Sequence, residues 1–256
     1  MAAKRDSRRL GFVAALQFLT IIPLRRAVDT EEVGRSLAYF PLVGLVIGGF
    51  LYGLDRLLGL ALPLGIVNVF LVIALVIITR ALHLDGFVDT CDGIAGGGSS
   101  AARLKIMRDS RIGSFGAAGV FCLLLLKYMS LSFMPDGQRM AALILMPTLA
   151  RWTMSYAVFA YPYARKGQGL GVIFKEQANW LRVTIATLIA LASSVALMGP
   201  EGLAVMASAW LVALALATYL NRKLGGLTGD SYGAVNEVVE VAVLLLIPFI
   251  TWSYGV

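Results

Sequence analysis

"PLGIVNVFLVIALVIITRAL", residues 63 to 82, carries one charge, Arg80, in twenty positions, and "HLDGFVDTCDGI", residues 83 to 94, follows it with three aspartates. Twenty apolar residues match the thickness of a bilayer core, so the first stretch predicts a spanning helix. The same pattern recurs outward in both directions. Spans are expected at roughly 37–54, 63–82, 114–134, 140–160, 181–198, 203–221 and 238–254. The whole chain agrees: 59% of its 256 residues are hydrophobic and only 14% charged, against about 45–50% and about 25% for a soluble domain. The expectation is an all-α, polytopic membrane bundle of about seven spans, with residues 1–256 forming one domain. The connections are short, and no low-complexity segment or internal repeat separates the spans.

Charge places the loops. A net charge of +7 can mean nucleic acid, but in a membrane chain it reflects Lys and Arg gathered in cytoplasmic loops; no nucleic-acid partner is expected. The 83–113 loop carries Arg103, Lys105, Arg108 and Arg111; the 161–180 loop carries Arg165, Lys166 and Lys175; the 222–236 loop carries Arg222 and Lys223. The alternate loops are poorer, with Asp55, Arg56, Asp136, Arg139 and Glu201. Alternating spans therefore put the three basic loops in the cytoplasm and the C-terminus outside. The start, "MAAKRDSRRLGFVAALQFLTIIPLRR", is basic then apolar, but it lacks a small-residue cleavage site. Its apolar part is short for a span, so 10–24 reads as an interfacial or re-entrant helix. Cys91 and Cys122 suggest neither a disulfide nor a zinc framework.

The aspartates raise the chemical question. Asp85, Asp89 and Asp92 are spaced i, i+4, i+7 and share one helical stripe. Carboxylates so placed repel unless a cation lies between them, and a hard ion such as Mg²⁺ takes oxygen ligands. A solvated helix end is the plain alternative, weakened by the apolar flanks. A second acidic stretch, "LTGDSYGAVNEVVE", residues 227 to 240, places Asp230, Asn236, Glu237 and Glu240 on one face; Asp230 alone could be a helix cap. Between them, "RLKIMRDSRIGSFG" supplies Lys105, Arg108 and Arg111, and "YARKGQGLGVIFKEQ" supplies Arg165 and Lys166. Guanidinium groups beside metal-binding carboxylates suit a phosphorylated substrate, although basic anchoring explains any one of them. Arg80 and Arg151 lie near predicted span ends, where long side chains snorkel. His83, the sole histidine, is a structural group, a base or a substrate contact. A transporter with ion-coupling carboxylates is the competing class, but its carboxylates belong mid-span rather than beside basic loops.

Taken in order, "LQFLTIIP", "YFPLVGLVIG", "RALHLDGFVDTCDG", "IMRDSRIGSFG", "YARKGQGLG" and "GDSYGAVNEVVE" cover nearly the whole chain. They resemble the cobalamin synthase family, the adenosylcobinamide-GDP ribazoletransferases. One departure is Ile22, where the family often has a basic residue before its proline. The resemblance implies a multi-pass enzyme of the bacterial inner membrane, dependent on Mg²⁺, that joins adenosylcobinamide-GDP to α-ribazole or its 5′-phosphate and releases GMP. It also implies roles. Asp85, Asp89 and Asp92 would hold the metal, and Asp92, Glu237 or His83 would act at the acceptor hydroxyl. Arg108, Arg111 and Arg165 would clamp phosphate, with Arg80, Lys105, Asp230, Asn236 and Glu240 among the substrate contacts. Other late enzymes of that pathway, or a second copy of the chain, remain open as partners. The spaced aspartates are also similar to those of CDP-alcohol phosphotransferases, but the Ala-Arg pair that follows their first motif is missing.

Overall fold

The computed structural model describes residues 2–23, 29–165 and 169–254. Arg25, Arg26 and Lys166 lie outside them. The described chain is helical: α1 (Ala2–Leu19), α2 (Thr30–Ser36), a 3-10 turn (Leu37–Tyr39), α3 (Phe40–Leu58), α4 (Leu64–Ile78), α5 (Leu82–Gly96), α6 (Ser100–Ile106), α7 (Ser114–Ser132), α8 (Asp136–Ala160), α9 (Leu170–Gln177), α10 (Trp180–Met198), α11 (Pro200–Leu224) and α12 (Gly229–Tyr254). Six stretches are long and apolar enough to cross a membrane: Thr30–Leu58, Ser114–Ser132, Asp136–Ala160, Trp180–Met198, Pro200–Leu224 and Gly229–Thr251. The broken pair α4–α5 makes seven if counted as one span, which agrees with the expected polytopic bundle. The 18-residue α1 is not among them.

At the centre stands α8, packed by α3, α10, α11 and α12. Its pairing with α3 is close because α3 offers glycines one turn apart. A Cβ at Gly48 would lie 2.5 Å from Ile144 Cα, and one at Gly44 2.5 Å from Thr148 Cα. Small residues are what let helix backbones approach in a bilayer, where lipid is as apolar as leucine and packing must supply the attraction. The far end of the same pair is held by charge. Arg139 donates to Asp55 Oδ1 at 2.8 Å, to the Leu131 carbonyl at 2.9 Å and to Asn68 Oδ1 at 2.5 Å. Both charges are buried, so Asp55 and Arg139 belong to helices α3 and α8 and are not loop charges as expected.

Two span boundaries differ from expectation. The 63–82 span stops at Ile78, and the chain turns by 89° into α5. At the turn, Arg80 and Ala81 take φ of 52° and 53°, a left-handed conformation that costs a non-glycine residue roughly 1–2 kcal/mol. The bend is tied down by α1: Ile21 N–H donates to the Ile78 carbonyl at 2.7 Å, and Arg80 donates to the Gln17 and Phe18 carbonyls at 3.3 and 3.5 Å. Hydropathy has no view of such a tie. The last span begins at Gly229 rather than 238, because the acidic residues of its first half meet buried cations on other helices.

Chain reversals put one set of helix ends together. The α4–α5 bend, the α6 region, the α8–α9 connection and the 225–229 turn lie at the end opposite the Asp55–Arg139 pair.

Candidate active site

The two acidic stretches meet where α5 crosses α12. A Cβ at Gly86 would lie 2.8 Å from Asp230 Cα, and one at Gly233 2.9 Å from the His83 carbonyl. Only hydrogen fits at these positions, so the backbones touch and bring Asp85 and Asp89 beside Asp230. Asp230 is not the helix cap. Thr228 fills that role: its Oγ1 accepts from Ser231 N–H at 3.1 Å, and its own N–H donates to Ser231 Oγ at 3.1 Å. Asp230 instead accepts from Arg165 Nη2 at 2.7 Å. The loop carrying Arg165 is docked on the same turn, with Ala164 N–H donating to the Leu227 carbonyl and Leu227 N–H to the Pro162 carbonyl, both at 2.8 Å. Asp230 and Asp85 are the carboxylates that act most strongly on Asp89. Arg108 is exposed and near enough to act electrostatically on Tyr163.

Other expected site residues are engaged elsewhere. Asp92 Oδ2 accepts from Gly113 N–H at 2.7 Å and Oδ1 from Gly116 N–H at 2.8 Å. It therefore caps the N-terminus of α7 from α5, satisfying amides that have no partner within the helix. Arg111 is solvent-exposed and forks onto its neighbour Asp109, with contacts of 2.9 and 2.6 Å. The guanidinium holds the Asp109 carboxyl down at about 2. A depressed carboxylate pairs above its folded value, so this pair is lost only in strong acid. Lys105 is exposed on α6, and Arg80 braces the bend on α1.

Below this acidic layer lies a buried ion network. Lys127 on α7 donates to Glu237 Oε2 at 2.6 Å and also bonds Glu240; Arg151 on α8 bonds the other oxygen of Glu240, which further accepts from Asn236 at 3.2 Å. Lys127, Arg151, Glu237, Glu240 and Asn236 are all buried. Arg151 does not snorkel: it lies in mid-helix with no exposed surface. Its Nη2 lies 3.3 Å from His83 Nδ1. Arginine only donates, so Nδ1 accepts and the ring proton sits on Nε2. Nε2 is buried with no partner. Lys127 escaped the sequence reading although a signal existed, since a lone lysine inside an apolar span is a functional candidate by default.

A cleft adjoins both layers. It holds about 740 Å³ of space, part of it open to solvent, and is lined by residues of α1, α3, α5, α8, α9 and α12. Asp85, His83 and Asp230 are on its wall, facing Phe18, Phe40 and Phe174. α9 closes one side, with buried Phe174 pointing inward and Lys175 Nζ donating to the last carbonyls of α8 at 2.8 and 3.2 Å. Among the described residues, no three His, Cys, Asp or Glu side chains form a ready-made ion cage. Asp85 and Asp89 nevertheless provide hard oxygen donors, and Mg²⁺ typically takes one or two carboxylates, keeping waters and substrate phosphates for the rest. The donor set fits that pattern.

Fold and site together define a multi-pass membrane enzyme, with carboxylates and guanidinium groups gathered at one end of the bundle in the manner of sites for phosphorylated ligands. The sequence pattern of cobalamin-5-phosphate synthase matches residues 11–248. An adenosylcobinamide-GDP ribazoletransferase of Geotalea daltonii is 39% identical over 93% of this chain and 96% of its own length. Proteins of the same name from Desulforamulus reducens and a Roseiflexus species are 37% and 39% identical, covering 91% and 90% of this chain and 94% and 86% of theirs. No solved structure matches. The chain belongs to the cobalamin-5-phosphate synthase family.

Proposed function

We propose that the protein transfers the cobinamide phosphate of adenosylcobinamide-GDP to α-ribazole, or to its 5′-phosphate, in a Mg²⁺-dependent reaction at the cytoplasmic face of a bacterial inner membrane. A ribose hydroxyl attacks the cobinamide-linked phosphorus. A new P–O bond forms, the bridging P–O bond of the pyrophosphate breaks, and GMP leaves with the bridging oxygen; the hydroxyl proton passes to a carboxylate. The observation that carries this reading is the meeting of Asp85 and Asp230 on one cleft wall, with Arg165 bonded to Asp230 and Asp89 within electrostatic reach of both carboxylates.

Asp85 and Asp89 would hold the ion, whose chemistry is to offset charge on the phosphate oxygens. Arg108 and Arg165 face the remaining anionic charge. Asp230, on the cleft wall, takes the proton of the acceptor hydroxyl. His83, with its proton on Nε2, donates a hydrogen bond and is not the base. Glu237 and Glu240 act beneath the site by fixing Lys127 and Arg151, and Arg151 in turn orients the imidazole.

The test is GMP release by purified protein in detergent, given both substrates and Mg²⁺. Activity is expected with the pair and absent when either substrate or the ion is withheld. Release of CMP from a CDP-alcohol, with no GMP from the corrinoid substrate, would overturn the proposal in favour of a phospholipid-type transferase.

A further inference from the structure

The wall of the cleft is divided by chemistry. Asp85 and Asp230 stand together where α5 crosses α12. The facing wall is aromatic and aliphatic. Phe18 stacks near Phe40 with centroids 6.0 Å apart, and Phe174 lies 5.0 Å from Phe18 and 5.5 Å from Phe40. Met154 and Val158 of α8 extend this wall. Two lining side chains carry buried polar atoms without a partner, His83 Nε2 and Tyr232 Oη; His83 is 2% exposed and Tyr232 4%. A mostly apolar cleft with a few convergent polar groups is the usual form of a small-molecule site.

The two substrates of the proposed reaction differ in size and shape. The acceptor is a flat benzimidazole bearing one ribose. At about 20 non-hydrogen atoms it is small and flat, and its apolar ring with one polar sugar matches a mostly apolar cleft that has a few polar groups at one side. The corrinoid donor is several times larger and ringed with amides, which an aromatic wall cannot satisfy. Resting on the proposed function, we infer that this cleft seats the acceptor. Its benzimidazole lies against Phe18, Phe40 and Phe174, and its ribose points toward Asp85 and Asp230. The corrinoid and its pyrophosphate stay outside, on the face that carries Arg108. A lipid acyl chain is the competing occupant, but it offers no partner for Tyr232 Oη or His83 Nε2.

The experiment measures initial rates of GMP release while each substrate is varied in turn. Phe174→Leu preserves bulk and removes the ring. Loss of base–aromatic stacking is expected to raise KM for α-ribazole at least about tenfold, with KM for adenosylcobinamide-GDP unchanged. A rise that falls on the corrinoid, or equally on both, overturns the inference while leaving the transferase reading intact. A wild-type enzyme that releases no GMP sinks the transferase reading first, and this inference with it. A second measurement needs no variant: fluorescence of α-ribazole titrated with wild-type protein in the absence of corrinoid. Saturable binding that resists added phospholipid supports the assignment. Displacement by phospholipid, or no binding, refutes it.

Discussion

Asp85, Asp89 and Asp92 share one stripe of α5, yet their neighbours give them different tasks. Both oxygens of Asp92 receive backbone N–H bonds from the start of α7, whereas Asp85 is exposed on the cleft and Asp89 lies among carboxylates. The three substitutions to Asn should therefore separate. Asp92→Asn turns an NH₂ toward a backbone donor. It should lower thermal stability by roughly 1–3 kcal/mol and leave the Mg²⁺ requirement of GMP release as it was. Asp85→Asn and Asp89→Asn should hold the melting temperature and lower kcat at least about a hundredfold, or about 2.7 kcal/mol. An Asp92→Asn protein that melts normally but no longer responds to Mg²⁺ would return that residue to the ion. Spacing exposed the stripe but not this division, because the donors that claim Asp92 lie 21 and 24 residues away. Arg111 is the opposite case: its partner Asp109 is only two positions off, and it competes with any phosphate.

Among the elements, the α7–α8–α12 contact was the least legible. Spans were readable wherever hydropathy alone decides, as in α3, α8, α10 and α11. The reading failed where one helix supplies what another needs. Glu237 and Glu240 looked like residues outside or entering a span because a lone carboxylate in lipid is costly. Their counter-charges, Lys127 and Arg151, sit 110 and 89 residues away. Breaking such a buried network leaves an unpaired charge. Lys127→Met should destabilise by about 3–5 kcal/mol, read as loss of folded protein on heating in detergent. Adding Glu237→Leu to it restores charge balance, because Arg151 and Glu240 still pair, and should recover most of the loss. Additive losses in the double variant would show that Lys127 and Glu237 are not coupled. The α5–α12 contact is a steric matter instead. Gly86→Ala puts a methyl group 2.8 Å from the Asp230 backbone. It should part Asp85 from Asp230 and depress kcat with little change in expression or detergent extraction; full turnover by Gly86→Ala would mean that the close approach does not set the site.

For the whole molecule, the decisive asymmetry is between the two ends of the bundle. The end bearing the site carries Arg103, Lys105, Arg108, Arg165, Lys175, Arg222 and Lys223. The other carries Arg56 and Arg139, and Arg139 is neutralised by Asp55 within the protein. Positive charge retained on the cytoplasmic side sets the orientation of short-looped membrane proteins, and here loop charge and site chemistry select the same end. This part was legible from sequence, since it depends on counting charges in short loops and not on which side chains touch. Two glycines allow a clean test. A Cβ at Gly98 meets nothing within 4 Å near the site end, and the same holds for Gly137 at the opposite end. In a chain with Cys91 and Cys122 replaced by alanine, Gly98→Cys and Gly137→Cys introduce single thiols without disturbing packing. An impermeant maleimide added to intact cells should label Gly137→Cys and spare Gly98→Cys, and inverted vesicles should give the opposite pattern. The GMP-releasing activity of each variant, checked in the same membranes, guards against a misfolded reporter. Labelling of both positions from one side would break the link between the charge count and the fold, and would put the nucleotide chemistry on an undetermined face of the membrane.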